Sequence, residues 1–354
     1  MITEQAVRDV LKTVRYPGYN RDIVSFGLVK NIQVENASDV RVHMAFSTKD
    51  PTIAETIEKG ARAALQAMPG VGSIDIDIRL QQPPDSPAAQ SAVGRSSIPG
   101  VKRIIAVASG KGGVGKSTIS ANLAIALAAS GASVGLCDCD LYGPSMAQMF
   151  GSDDQPYANE SDQIVPIEKH GIKLMSMGFL LSDDAPVIVR GPMATRYTQQ
   201  FLRQVAWGEL DYLVLDLPPG TGDIQLTIVQ TVALDGAVIV TTPQEVALID
   251  ARKAVAMFDK VNVPILGLVE NMSWFECPSD GKRYYLFGRD GGVTEAYRLH
   301  VPMLAQIPLT EETRIHADEG HPVALHGANH ANGAVFHKMA VAVKEALQRV
   351  AVIA

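Results

Sequence analysis

A glycine-rich segment with two lysines is the first place where residue types and spacing indicate chemistry. Glycines let the backbone turn its N–H groups toward phosphate oxygens, and the first turn of a helix adds free amides and a positive dipole end. Lys116 would place its charge on the β- and γ-phosphates, and Ser117 would offer a hydroxyl to Mg²⁺. The segment predicts a nucleoside triphosphate site, the alternative being a glycine-rich turn without a ligand. Its predicted nucleotide-binding residues are Gly110, Lys111, Gly112, Gly113, Val114, Gly115, Lys116, Ser117 and Thr118.

Three aspartates at the ends of predicted strands supply the carboxylates that such a site needs. Asp138 and Asp140 follow the apolar run from Ser133 to Cys137, and Asp216 follows the run from Tyr212 to Leu215. Because open α/β sheets bind ligands at the carboxyl ends of their strands, we expect all three near the phosphates. We assign Asp216 and Asp138 to the Mg²⁺ site and Asp140 to the attacking water, and the choice between Asp138 and Asp140 stays open.

The elements that must position these residues predict an α/β fold of two domains. Apolar runs near residues 103, 133, 173, 212, 236, 264 and 303 alternate with helical patterns near 118, 194, 223, 245 and 335. This order predicts a mostly parallel, doubly wound P-loop NTPase sheet, with a helix from Thr118 to Ser130 after the glycine-rich segment. A stretch rich in Pro, Ser and Ala, residues 83–100, predicts a linker between a domain at 1–82 and one at 101–354.

The residues before the linker predict a small α/β domain. Helical patterns cover Glu4 to Val14 and Thr52 to Ala67. Strand patterns cover Leu28 to Val34, Val40 to Phe46 and Ile74 to Ile78.

Composition limits the cellular location and the classes of partner that we expect. The formal net charge of −7 argues against binding to nucleic acid through bulk electrostatics. The chain has no apolar run long enough to span a membrane and no signal peptide at its start, so we expect a cytoplasmic protein without a membrane partner. An apolar stripe from Phe336 to Val350 could attach a helix to a membrane, but core packing against the sheet explains it more simply.

Five motifs together resemble the Mrp/ApbC family of iron-sulfur cluster carrier ATPases, a branch of the MinD/ParA-like dimeric ATPases. The resemblance spans nearly the whole chain. The motifs are Ser109 to Thr118, Asp138 to Ser145, Arg190-Gly191-Pro192, Asp216 to Asp223 and Glu270-Asn271-Met272-Ser273.

The resemblance implies a homodimer that hydrolyses ATP and transfers iron-sulfur clusters to apo-proteins, in contact with assembly factors. It implies that Lys111 reaches across the dimer to the partner's nucleotide, where a cation would stabilise the transferred phosphoryl group. A solvated loop lysine is the alternative. The resemblance also implies that Asn271 reads the adenine and that the loop around Pro308 closes over the base. Lys111, Lys116 and Asp140 would be the catalytic residues.

The cysteine motif of this chain differs from that of the family. The family carries Cys-Pro-x-Cys after its Asn-Met-Ser segment, so that two subunits hold a bridging cluster with four thiolates. This chain reads Cys277-Pro278-Ser279-Asp280, which leaves one thiolate and one carboxylate per subunit. Because soft thiolates suit these clusters better than oxygen ligands, we expect a more labile cluster at Cys277, or else a free thiol.

The leading domain departs from the family as well. Tyr16-Pro17-Gly18-Tyr19 stands where related domains have Asp-Pro-Glu, and no cysteine occurs near Ser47 to Pro51. We expect a docking domain without metal ligands.

The remaining candidate ligands are two cysteines and a group of histidines. Cys137 and Cys139 would share one face of a strand, and we expect them in the core rather than on a metal. The histidines match no standard zinc spacing, and glycines and a proline among them predict surface loops. They are His316, His321, His326, His330 and His337.

Two other functions remain open. A positioning ATPase of the MinD/ParA kind would share every nucleotide residue, but it would not need the leading domain or Cys277. An ATP-binding assembly scaffold without a cluster would explain the missing second cysteine.

Overall fold

Apolar residues recurring with helix and strand periods build separate cores in two parts of the chain. The computed structural model describes residues 2–14, 22–24, 28–36, 38–47, 51–81, 96–179 and 202–353. It divides into two compact units, Met1–Val93 and Gly94–Ala354. Buried apolar residues cluster within each unit.

The first unit is a three-stranded sheet with two helices. Its elements are α1 Glu4–Leu11, β1 Val29–Glu35, β2 Asp39–Ser47, α2 Pro51–Gln66 and β3 Ile74–Gln81. β1 is antiparallel to β2, and β3 pairs parallel to the other side of β2 after the α2 crossover. Alternate residues of β2 (Val40, Val42 and Met44) are buried, as expected for a sheet with one face on the core. The five elements match the predicted ones to within a few residues.

The second unit is built on an eight-stranded sheet. Its main strands are β4 Val101–Ser109, β5 Val134–Asp138, β8 Ile167–Lys169, β9 Ile172–Ser176, β10 Leu210–Asp216, β11 Gly236–Thr241, β12 Ile265–Glu270 and β15 Met303–Gln306. Its short hairpin strands are β6 Tyr157–Ala158, β7 Ile164–Val165, β13 Phe275–Glu276 and β14 Arg283–Tyr284. Its described helices are α3 Lys116–Ala129, α4 Met146–Phe150, α5 Asp223–Thr231, α6 Glu245–Lys260, α7 Gly291–Arg298, α8 Glu311–Asp318 and α9 Ala331–Ile353.

The large sheet is parallel except at one edge. The strand order is β15-β12-β11-β4-β10-β5-β9-β8, and only β8 runs antiparallel to its neighbour. Helices cover both faces, so β4 is buried on each side: Ile105 and Val107 join the cluster with α3 and α9, whereas Ile104 and Ala106 join the cluster with α5 and α6. The predicted doubly wound α/β fold with a small leading domain is confirmed.

The last helix packs on the sheet, as its apolar stripe predicts. Phe336, Met339, Val343 and Leu347 are buried in the core that α9 shares with α3, and Val350 packs against its edge. None of the helices in the described part of the chain combines the length and the apolar composition that crossing a membrane requires.

Several sequence predictions lie outside the described residues. They are most of the linker at 83–100, the helix near 194, Tyr16-Pro17-Gly18-Tyr19, the stretch from Thr48 to Asp50 and the motif Arg190-Gly191-Pro192.

Candidate functional site

The glycine-rich loop joins the end of β4 to the start of α3. Gly113 and Gly115 have φ angles of 81° and 82°, in the left-handed region that favours glycine. Gly115 caps α3, so the helix begins at Lys116, two residues before the predicted start. The loop lines a cavity of about 310 Å³, which Asp140, Gly143 and Pro219 also line.

Lys116 is paired with a buried aspartate in this structure. Its Nζ lies 2.6 Å from Asp216 Oδ1, and the two side chains are 6% and 0% exposed. Ser117 Oγ donates to Asp216 Oδ2 at 2.7 Å, and Ser120 Oγ donates to Asp216 Oδ1 at 2.6 Å. Asp216 therefore has three partners from one helix end. Sequence reasoning missed Ser120, although its position one turn after Lys116 places it on the same face of α3.

Asp138 is buried beside Asp216. The two residues pair in register on β5 and β10, and the Asp138 side chain is 1% exposed. Burial, and then the negative charge of Asp216, raise the pKa of Asp138 to about 7, while Lys116 opposes the rise. This environment therefore favours the neutral form of Asp138 more than water would.

The Asp138 carboxylate accepts hydrogen bonds from the segment that follows β5 and from the end of β9. Oδ1 accepts from the Asp140 amide at 3.0 Å, and Oδ2 accepts from the Ser145 amide at 3.1 Å and from Ser176 Oγ at 2.9 Å. Asp138 thus holds the segment that leads into α4. Asp140 lines the loop cavity, whereas Asp138 and Asp216 are absent from the described residues that line it.

Asn271 follows β12 and closes against the glycine-rich loop. Its Nδ2 donates to the Val114 carbonyl at 2.9 Å, and the residue is buried. A Cβ added to Gly115 would lie 2.2 Å from that nitrogen. The structure therefore gives Asn271 a contact with the loop backbone, in addition to the adenine contact that the family resemblance predicts.

This contact makes a paired glycine test possible. We expect Gly115→Ala to lower the free energy of unfolding more than Gly113→Ala, because both substitutions carry the left-handed backbone cost of about 1–2 kcal/mol but only the first meets Asn271. At Gly113 an added Cβ meets nothing within 4 Å. Urea unfolding of both variants measures the difference.

The control for this test is a double variant that lacks the Asn271 side chain. Adding Asn271→Ala to Gly115→Ala frees the space that the new Cβ needs, so the double variant should recover part of the lost stability. Equal destabilisation by the two glycine variants would contradict the contact.

Cys277 lies in the turn between β13 and β14. Its backbone amide donates to the Lys282 carbonyl at 2.9 Å, and its Sγ lies 3.0 Å from Ser279 Oγ. Asp280 in the same turn accepts from the Lys282 amide at 2.9 Å and from the Tyr284 hydroxyl at 3.1 Å. The Lys282 amide in particular lowers the pKa of Asp280, which keeps its carboxylate ionised at neutral pH.

The turn opens on a second cavity, which is larger than the one at the glycine-rich loop. That cavity measures about 740 Å³, and Cys277, Trp274, Pro308 and Glu312 line it. Among the described side chains of this chain, Cys277 belongs to no group of three metal-binding residues.

The other two cysteines lie in the core and not in the turn that holds Cys277. Cys137 and Cys139 are buried in the core with their Sγ atoms 3.9 Å apart. The contact with Cys137, together with burial, raises the pKa of the Cys139 thiol. The predicted core location is confirmed.

The histidine-rich segment lies at the surface, as predicted, but His316 and His326 belong to helical turns rather than loops. His321 and His337 do contact backbone carbonyls, those of Glu319 and Ala324. The other three histidines converge with a glutamate into a group that we call the His-Glu cluster. Its members are Glu312, His316, His326 and His330.

Comparison with known families assigns both parts of the chain. The family model described as NUBPL iron-transfer P-loop NTPase matches residues 100–344, and that of iron-sulfur cluster assembly protein matches residues 4–76. The iron-sulfur cluster carrier protein of Deinococcus radiodurans is 45% identical over 324 residues, which cover 90% of this chain and 89% of that protein. The protein of the same name from Aquifex aeolicus is 43% identical over 345 residues, covering 90% and 92%.

Solved structures agree with this assignment. A nucleotide-binding protein from Archaeoglobus fulgidus, solved with ADP and found to contain cobalt, is 40% identical and superposes with a TM-score of 0.57, covering 63% of this chain and 88% of that one. The septum site-determining protein MinD from Pyrococcus horikoshii, solved with Mg-ADP, is 25% identical with a TM-score of 0.53, covering 67% and 94%. These findings confirm the resemblance carried by the motifs. The chain belongs to the NUBPL iron-transfer P-loop NTPases, together with the curated iron-sulfur cluster carrier proteins.

Proposed function

We propose that this protein is a cytosolic, homodimeric ATPase that carries an iron-sulfur cluster and delivers it to apo-proteins under control of the bound nucleotide. One observation carries the proposal: a single short segment contacts the phosphate loop and bears the thiol. Asn271 bonds to the loop at Val114, and Cys277 follows six residues later. Movement of the loop with nucleotide state would therefore reach the cysteine turn directly.

The connecting segment is held by regular backbone contacts. The Ser273 amide donates to the Ile307 carbonyl at 2.9 Å, and the Leu309 amide donates to the Trp274 carbonyl at 2.7 Å. These bonds tie the segment to the stretch around Pro308 that follows β15. A displacement at Asn271 would therefore reach the cysteine turn through a segment that is hydrogen-bonded along its length.

Each residue of the proposed nucleotide site would have a separate role in phosphoryl transfer. Loop amides and Lys116 would hold the β- and γ-phosphates, Asp140 at the cavity would orient the attacking water, and Lys111 of the partner protomer would add positive charge. Ser117 and Asp216 offer adjacent hard oxygens, which fit the ligand preference of Mg²⁺. Mg²⁺, when bound, neutralises charge on the phosphate oxygens.

The pair between Lys116 and Asp216 is one that a bound triphosphate would compete with. Entry of a triphosphate offers Lys116 a second anion, and the lysine can move from the aspartate to the phosphates. Asp216 is then released from one of its three partners. Catalysis here is positioning and charge stabilisation, with no covalent intermediate on the protein.

The cysteine turn would hold the cargo. Two protomers would contribute two Cys277 thiolates, with the ionised Asp280 carboxylates nearby as harder ligands. A cluster held in this way exchanges more easily than one with four thiolates, which suits a protein that must release it.

The experiment that tests the proposal follows the chromophore and ATP hydrolysis in parallel. Protein isolated without oxygen should show visible absorption with matching iron and sulfide, and it should hydrolyse ATP with Mg²⁺. Cys277→Ala should lose the chromophore and keep hydrolysis, whereas Ser279→Ala, which retains the thiol, should keep both. A wild-type protein that hydrolyses ATP but takes up no cluster on anaerobic reconstitution would point instead to an assembly scaffold.

The first unit would dock assembly factors and recipients. Its apolar core is its own, and it matches an iron-sulfur assembly family without supplying any cysteine. We expect a chain lacking residues 1–93 to keep ATP hydrolysis and cluster content but to transfer the cluster to a recipient several-fold more slowly. Circular dichroism detection of holo-recipient formation measures the rate, and an unchanged rate would remove the docking role.

A further inference from the structure

The His-Glu cluster has the geometry of a metal site. His316 Nε2 and His326 Nε2 lie 3.2 Å apart, and His316 Nε2 lies 3.7 Å from Glu312 Oε1. Ligands placed tetrahedrally at zinc bond lengths of about 2.0–2.1 Å are about 3.3 Å from one another. The nearest ligand atoms of all three residues lie within 4.8 Å of one another. The His316–His326 and His316–Glu312 separations are therefore close to that value, and small side-chain movements would bring all three ligand atoms to one ion.

The fold explains why these residues meet. Glu312 and His316 are four apart on α8, so they share a face of that helix. The chain then turns back through the short 3-10 helix Val323–His326, which ends with His326 against His316, ring centroids 4.5 Å apart. His330 follows just before α9 and brings its ring to 4.9 Å from that of His326. Two helices and a tight turn thus fix the cluster.

Neighbouring groups orient the glutamate. His330 Nε2 lies 3.1 Å from Glu312 Oε1, and Asn332 Nδ2 donates to Glu312 Oε2. The carboxylate is therefore held at both oxygens, as carboxylate ligands of metals commonly are. His330 Nδ1 is buried and has no hydrogen-bond partner among the described residues, so the contact of Nε2 with Glu312 is the polar contact that orients the ring.

We propose that Glu312, His316 and His326 bind a divalent first-row transition metal ion, zinc or iron(II), with His330 positioning the glutamate. Two imidazoles and one carboxylate suit these ions and leave coordination positions open. Glu312 also lines the cavity that Cys277 lines, so the ion would be reachable from that cavity. The site is separate from Cys277, and this inference does not rest on the proposed carrier function.

Cobalt(II) and zinc(II) titrations of the nucleotide-free, chelator-treated full chain test the proposal. We expect one equivalent of Co²⁺ to bind with visible d–d absorption and to be displaced by Zn²⁺. Repeating the titration in Cys277→Ala separates the His-Glu cluster from the thiol, because cobalt at a thiolate would add a sulfur-to-metal charge-transfer band. Competition between Fe²⁺ and Zn²⁺ without oxygen then identifies the preferred ion.

Matched variants locate the ion. We expect His326→Ala and Glu312→Gln each to weaken binding at least about 100-fold, since loss of even an outer partner costs about 10- to 100-fold. His321→Ala removes an exposed histidine of the same segment that lies outside the cluster, and it should bind as the wild type does. ATP hydrolysis should be unchanged in all three. Absence of tight binding, or binding that both ligand variants retain, would overturn the site and show a hydrogen-bonded pair of imidazoles instead.

Discussion

Replacing Lys116 with alanine is expected to slow ATP hydrolysis at least about 100-fold and, in a separate measurement, to destabilise the nucleotide-free protein. The first effect follows from loss of the charge on the phosphates. The second follows from the pair with Asp216, whose carboxylate is fully buried and next to Asp138. Breaking a buried ion pair on one side costs about 3–5 kcal/mol, because the remaining charge stays without compensation.

The second lysine of the loop is the matched control. Lys111 is half-exposed at the same cavity, and its side chain is not part of the buried ion pair. Lys111→Ala should therefore slow hydrolysis without lowering the free energy of unfolding. Normal hydrolysis by Lys111→Ala would contradict its role in the partner's site.

A double variant separates stability from catalysis. Lys116→Met with Asp216→Asn removes both charges at once, so no uncompensated carboxylate remains beside Asp138. We expect urea unfolding of this variant to recover most of the stability that Lys116→Ala loses, whereas hydrolysis stays abolished. Recovery of hydrolysis together with stability would mean that Lys116 acts only by holding the fold.

Motif spacing predicted that the glycine-rich loop and the aspartates lie at one edge of the sheet, because each of these features is local in sequence. The loop, the helix start and the carboxylates after β5 and β10 each depend on residues close in sequence, and the strand order brings them to one edge. The pairing of Lys116 with Asp216 was not predictable in the same way. It depends on Asp216 lying 100 residues away at hydrogen-bond distance, which only the packed structure fixes.

The His-Glu cluster could likewise be predicted only in part from the sequence. Helix periodicity places Glu312 and His316 on one face, and that much can be inferred from the sequence. The return of His326 and His330 depends on how a 3-10 turn and the start of α9 pack, which residue spacing alone does not specify. Matching spacings to known zinc motifs therefore did not predict that these side chains come together.

Replacing Asp280 with cysteine is expected to make the cluster more firmly held. The variant would give the chain the Cys-Pro-x-Cys spacing and the proposed dimer four thiolates, which are the ligands that iron-sulfur clusters prefer. Asp280 and Cys277 already lie in one turn, where the cysteine side chain helps to keep the pKa of Asp280 low. The new thiol would therefore stand next to the existing one without a change of backbone path.

The measurement is the loss of iron and sulfide to a chelator after anaerobic reconstitution. Partners outside a ligand set change metal affinity by about 10- to 100-fold, so we expect a new thiolate ligand to slow the loss at least about tenfold. Asp280→Asn keeps one acceptor oxygen for Lys282 and Tyr284 but supplies no thiolate, and it should lose the cluster as fast as the wild type or faster. Ser279→Cys adds a thiol at the wrong spacing and controls for simple thiol content. If the firmer binding holds, Asp280→Cys should also transfer its cluster to a recipient more slowly than the wild type does. If Asp280→Cys released its cluster as quickly as Asp280→Asn, the cysteine turn would not be where the cluster is held.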